Sequence, residues 1–376
     1  MSLSLAVKLD EKQNDGEQTP LLHSCQMGDL HLTKSLIEGG CNRDVVSKYG
    51  NNCLVVASNF GHIDIVEYLI EIGFDMNWRN EADGFNAILV ASEKGHLEIV
   101  KYLDSIGCDI NSKTNTNANC IYLASLHGHL DTVKYLISCG VDPNERNNNG
   151  FDAILAVSQE GHLEIVKYLQ SIGCDVNSKT NNNTNCMYLA SFKGHLDTVK
   201  YLISCGVDPN EKDNDGFNAI LAASQEGHLE IVKYLQSIGC DVNSKTNNNT
   251  NCMYLASFKG HLDTVKYLIS CGVDPNEKDD NGFNAILVAS YAGHLEVIKY
   301  LLMNGCNKND KTNNNVTSLH WAAANGHLDV VEFLISIRVN LNEKNKDGKT
   351  ALDLARENQD QNENYEEIIN LLLKSI

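Results

Sequence analysis

The dipeptide Gly-His recurs at residues 61–62, 95–96, 128–129, 161–162, 194–195, 227–228, 260–261, 293–294 and 326–327, thirty-four positions apart once and thirty-three everywhere else. A period of this length means one supersecondary unit copied end to end, each unable to bury its apolar face until a neighbour stacks on it. Gly28-Asp29 lies one ordinary interval before the first of these dipeptides, and Asp347-Gly348-Lys349-Thr350-Ala351-Leu352 opens a further unit. About eleven units are therefore expected, forming a single array over residues 15–376 with terminal capping repeats. Residues 1–14 are expected to be a flexible N-terminus.

Each unit reads as helix, helix, hairpin. Around Gly227, Ala219 to Ser224 is a short run of small and apolar residues suited to a tightly packed inner helix. The stretch from His228 to Ser237 then places Leu229, Ile231, Val232, Tyr234 and Leu235 on one helical stripe. Gly239 stands where that helix needs a left-handed residue to stop. The connection onward carries Asp-Gly or Asn-Gly at its tip in alternate units, with Gly84, Gly150, Gly216, Gly282 and Gly348. Asn117, Asn183, Asn249 and Asn315 hold the same place in the units between, and Asn tolerates positive φ best after Gly. Residues 180–216 and 246–282 are identical apart from one swapped Asn/Asp pair, so the duplicated unit is a pair of repeats of alternating character. Tandem duplication alone accounts for that second period.

These features resemble ankyrin repeats over essentially the whole chain. The family pattern Gly-x-Thr-Pro-Leu-His-x-Ala survives best in Thr19-Pro20-Leu21 and in Thr317-Ser318-Leu319-His320-Trp321-Ala322-Ala323. Between them it becomes Asn218-Ala219-Ile220-Leu221 or Asn251-Cys252-Met253-Tyr254. Asn is at least as good an N-cap as Thr. The family's His-to-Thr hydrogen bond is absent there, so each middle unit is expected to be slightly less stable. The resemblance implies an all-α solenoid of stacked helix-turn-helix units joined by short β-hairpin loops, working as a non-catalytic protein-binding scaffold or adaptor. The alternative is a regulatory inhibitor that masks an enzyme or a transcription factor.

Other classes of function have little support in the residues. Equivalent histidines in adjacent units lie about one helix-packing distance apart, ~10 Å, whereas zinc needs nitrogen ligands at ~2 Å. The Gly-His series is therefore expected to be structural. The cysteines, thirteen of them, include no Cys-x-x-Cys pair. Cys41, Cys108, Cys174, Cys240 and Cys306 follow the helix-ending Gly, Cys53, Cys120, Cys186 and Cys252 stand at N1, and Cys139, Cys205 and Cys271 precede the Gly. All are expected to be small buried packing residues. No phosphate loop, nucleophile elbow or Glu-x-x-His pair appears, so no catalytic residue, cofactor or metal site is expected. The Asn-x-Thr triplets at 182–184 and 315–317 read as coincidences of an Asn-rich sequence. A net charge of −19 disfavours nucleic acid and anionic membrane as partners. No apolar run approaches the ~18 residues of a membrane span, and residues 1–18 have no apolar h-region. A monomer in a cytosolic or nuclear compartment, with reduced thiols, is expected.

What remains is surface. The resemblance implies a concave groove lined by the hairpin tips and the ends of the inner helices. Phe85, Phe151, Phe217 and Phe283 follow a tip glycine, while Phe60, Leu126, Phe192, Phe258 and Tyr291 sit at the inner-helix ends. Lys193 and Lys259 flank this set in one kind of unit, Glu160 and Glu226 in the other. Aromatic anchors are the usual material of binding hot spots, and the partner expected is an extended or repetitive protein. The competing reading is that the aromatics after the tip glycines pack between neighbouring hairpins. Trp78, in the hairpin of the one longer interval, is a further candidate contact. One unit ends its outer helix with Arg338 where nine others have Gly, and Arg in the left-handed region costs about 1–2 kcal/mol.

Overall fold

The computed structural model describes residues 19–359 and 363–375, so the N-terminal stretch 1–14 lies outside the described residues. Among these are 22 helices, in eleven inner–outer pairs, and no strand. They fall into two compact units, one ending at Asn181 and the other beginning at Asn182.

In the first unit the inner helices are Pro20–Met27, Cys53–Phe60, Ala87–Lys94, Cys120–Leu126 and Ala153–Glu160. In the second they are Cys186–Lys193, Ala219–Gln225, Cys252–Lys259, Ala285–Ala292, Ser318–Ala324 and Ala351–Glu357. An inner helix is buried almost all round, as in Ala285 to Ser290, because it has a neighbour before, behind and outside it. The outer helix Leu229–Ser237 buries only Ile231, Val232 and Leu235 and leaves its other face wet. Each such fully buried aliphatic side chain contributes roughly 1.5–3 kcal/mol. Within each unit, successive inner helices touch more extensively than successive outer helices. The connections are turn fingers rather than paired strands, and only single antiparallel bridges form, as between Lys245 and Asn251.

The Gly-His dipeptide joins one repeat to another. Gly260 caps its inner helix in the left-handed region, at φ +79°. A Cβ there would lie 2.6 Å from the ring of His294, one repeat on. That ring donates from Nε2 to the carbonyl of Phe258, at 3.0 Å. The same contact recurs from His228 to Phe192, His261 to Gln225 and His327 to Tyr291. The histidines are thus structural: each occupies the space left by a missing side chain and satisfies a carbonyl at the preceding helix end.

The N-caps of the middle units make a second bond. Asn251 accepts the Tyr254 N–H at 2.9 Å, as an N-cap should, and its amide also donates at 2.9 Å to the Glu277 carboxylate, at the base of the finger that follows the same helix pair. Lys245 closes an ion pair on the same carboxylate. In the alternate units Asn86 donates to Ser112, Asn218 to Ser244 and Asn284 to Asp310, at 2.9, 3.2 and 2.5 Å. In the middle repeats the N-cap side chain thus ties the start of the inner helix to the finger that follows its own helix pair.

Two further points concern local geometry. Asn117, Asn183, Asn249 and Asn315 all adopt positive φ, as does Arg338 at +56°. Cys139 is exposed and Cys205 and Cys271 are half-buried, against the expectation of burial. They stand at the C-caps of outer helices, where the Cys139 thiol still donates to the Asp104 carboxylate of the preceding repeat at 3.5 Å. The other cysteines named above are buried.

Candidate functional site

At one inner-helix end, Phe258 and Lys259 line a hollow together with the finger residues Asp215 and Phe217. Phe60, Phe258 and Tyr291 are 45%, 36% and 40% exposed, unusual values for large apolar groups beside a packed core. Leu126 and Phe192 are half-buried, and Lys193 and Lys259 are exposed. Phe85, Phe151, Phe217 and Phe283 are all half-buried, each under its own tip glycine. A finger is held rigid from within: Asp213 accepts the N–H groups of Asp215 and Phe217 at 3.0 and 2.8 Å. Successive fingers are tied to one another, as Asn247 N–H donates to the Asp215 carbonyl and Asp280 N–H to that of Asn248.

In the second unit these residues form two aromatic clusters, one on either side of a shared hollow. Tyr188 stacks on Phe192 at 5.9 Å between ring centroids and meets Phe217 edge-on at 6.4 Å. Phe258 stacks on Tyr291 at 6.1 Å, and Trp321 contacts both Tyr291 and Phe283 at 5.1 and 5.4 Å. Phe217, Tyr254, Phe258 and Lys259 share a hollow of ≈ 500 Å³ with Asp215 on its wall. Lys259 stands 3.6 Å from Glu226, so charges that alternate along the chain pair across adjacent repeats.

Sequence reasoning passed over Tyr188, Tyr254 and Trp321. The signal was available for the tyrosines, which stand four residues before Phe192 and Phe258 and so share their helix face. Burial, and then the carboxylates of Asp213 and Asp279, push the phenols of Tyr188 and Tyr254 up to about 12. They remain neutral hydrogen-bonding groups at any physiological pH.

Trp78 lies elsewhere. It is half-buried and lines a separate hollow of ≈ 550 Å³ with Arg43, Asp44, Val46, Gly73 and Phe74. Arg43 lies 4.9 Å above the Phe74 ring and donates to the Ile72 carbonyl at 2.8 Å. The additional residue of the longer interval sits at the fingertip. Asn80 N–H donates to the carbonyl of Phe85, five residues on, where Asn147 reaches Phe151, four on. Arg79 donates to the carbonyls of Gly84 and Lys113 and so fastens this longer finger to the next.

A family model described as ankyrin repeats (three copies) matches residues 3–80, 72–147, 121–213, 153–246, 219–312, 252–345 and 286–376. The chain belongs to the ankyrin-repeat family. Ankyrin repeats generally mediate protein–protein interaction and are typically non-catalytic. A curated L-asparaginase from Dirofilaria immitis is 35% identical over 63 residues, 17% of this chain and 11% of that protein. Such a match is no longer than two repeats and spans about a tenth of the relative, so it carries no activity to this chain. Among the described residues no group of three or more His, Cys, Asp or Glu side chains could hold a metal ion. No helix there is long and apolar enough to cross a membrane.

Proposed function

We propose that this ankyrin-repeat protein is a non-catalytic scaffold or adaptor that holds an extended protein segment against its fingers and inner-helix ends. The observation that carries the reading is the aromatic side chains at the inner-helix ends, with Phe192 stacked on Tyr188 and the exposed Phe258 stacked on the exposed Tyr291. Exposed aromatics next to a rigid, internally bonded row of fingers offer apolar contact area at little ordering cost. The contact residues proposed are Phe60, Leu126, Phe192, Lys193, Phe258, Lys259 and Tyr291, with Phe85, Phe151, Phe217 and Phe283 supporting them and Trp78 offering a separate contact. The compartment proposed is cytosolic or nuclear, in keeping with thirteen cysteines that include no Cys-x-x-Cys pair. Affinity capture from the source cell's lysate tests the reading, with the native chain beside a Phe192→Ala/Phe258→Ala variant verified as folded. Proteins retained by the first and lost by the second support it; identical capture refutes it.

A further inference from the structure

The duplicated stretches 180–216 and 246–282 differ at one dipeptide, Asn214-Asp215 in the first and Asp280-Asn281 in the second. The swap moves a carboxylate by one position, and within a tight turn one position changes the direction it faces. Asp280 points along the row of fingers and accepts the Asn249 amide at 2.7 Å, the part Asn214 plays for Asn183 at 2.6 Å. Asp215 instead lines the hollow walled by Phe217, Tyr254 and Phe258. Its carboxylate is exposed and receives one long bond, 3.4 Å from the Asn182 amide. Lys259, the ammonium lining the same hollow, stands beside the Glu226 carboxylate and is already partnered.

The result is a ≈ 500 Å³ hollow walled by three aromatic rings, with a carboxylate short of partners on one wall. A guanidinium answers both features. It stacks on aromatic faces and binds a carboxylate through two parallel N–H donors, while its planar shape sheds water more readily than a lysine ammonium. An acidic side chain would meet Asp215 as a like charge. At longer range the net charge of −19 draws basic segments toward the chain. We infer that this hollow is a subsite for an arginine side chain of an extended, basic protein segment; this rests on the binding reading above and adds the chemistry of the ligand. Asn281 places a neutral amide where the first copy has its carboxylate, so duplication has left one charged subsite in this pair of repeats.

The test is fluorescence anisotropy on the full chain with a labelled Arg-Gly-Ser repeat peptide. The controls are the same peptide with citrulline, and with glutamate, in place of arginine. The arginine peptide is expected to bind most tightly. Asp215→Asn should weaken it by about tenfold or more while leaving citrulline binding unchanged. Asp280→Asn removes the same charge outside the hollow and should change arginine binding by no more than about twofold, because exposed charges are screened over a Debye length. Equal losses in the two variants would reduce the effect to net charge and overturn the inference. Equal binding of the citrulline peptide, or no binding of the arginine peptide, would overturn it as well. None of these outcomes alters the lysate comparison of Phe192→Ala/Phe258→Ala, so the arginine subsite can fail while the protein-binding reading stands.

Discussion

Asn251 and Thr317 each begin an inner helix, two repeats apart in the chain, and they hold it in different ways. Thr317 accepts the His320 N–H at 3.4 Å, and the His320 ring bonds back to the threonine and onward from Nε2 to the Lys349 carbonyl at 3.2 Å. This is a capping box that reaches the next repeat through a histidine. Asn251 also makes two bonds, its oxygen on the helix and its amide on Glu277 in the finger of its own repeat. The comparison teaches that drift away from the family motif was not simply a loss. The helix N–H is capped in both, the amide adds a bond to the following finger, and the place His320 holds in one repeat is taken in the other by Tyr254, a wall of the candidate site.

Asn251→Ala gives the largest effect expected, because it removes a cap and a bond to a half-exposed carboxylate together. A loss of about 2 kcal/mol is expected, read as a lowered urea midpoint. Thr317→Ala should cost less, about 1 kcal/mol, since His320 keeps its bond to Lys349. Equal losses would mean that the amide–Glu277 link contributes nothing.

Arg338→Gly comes next and acts in the opposite sense. With φ at +56° the arginine is held in the left-handed region that nine equivalent glycines occupy freely. Stability should rise by about 1–2 kcal/mol. An unchanged melting temperature would show that the turn relaxes around arginine without strain.

A pH series sharpens the contrast between the two caps. Burial holds the His320 imidazole below its ordinary value, so the folded chain favours the neutral ring. The stability this contributes is present above the unfolded histidine value, about 6.5, and is lost as pH falls through and below it. His129 and His261 are lowered by burial in the same way. Melting temperature should therefore fall on acidification below the ordinary histidine range, and less steeply in His320→Asn. An identical slope in that variant would remove His320 from the account.

The smallest effect is expected at Asp152, the one carboxylate among the equivalent middle caps. It accepts the Leu155 N–H at 3.1 Å and the Ser178 hydroxyl, and burial raises its carboxyl above the ordinary range. A raised carboxyl is least costly when protonated, so its contribution is full at low pH and is lost as pH rises through the folded value. Asp152→Asn should raise the melting temperature at neutral pH by an amount worth no more than about 1 kcal/mol, since Asp and Asn cap alike. The gain should shrink as pH falls into the carboxylate range. A gain that does not depend on pH would point to packing.

Most of the fold was legible because its signals are local. Asn at a fingertip, Gly before His and a stripe of Ile, Val and Leu after it each act within a few residues, and repetition made them plain. The candidate site was legible in part. Phe60, Phe258 and Tyr291 stand open beside the fingers, while Tyr254 and Trp321 were passed over although they wall the same surface. Cys139 was expected to be buried because its neighbours in the pattern are; its exposure depends on which side of the outer helix meets another repeat.

The sequence by itself determined the repeat, the helix pairs, the left-handed turns and the family, because backbone preference and apolar period need no information from distant residues. Only the tertiary structure decided that His294 fills the space above Gly260, that Asn251 reaches Glu277, and that Asp215 faces the aromatic hollow while Asp280 does not. Each of those contacts joins residues more than twenty positions apart or turns on the direction of one side chain. Stacking sets both, and spacing along the chain encodes neither.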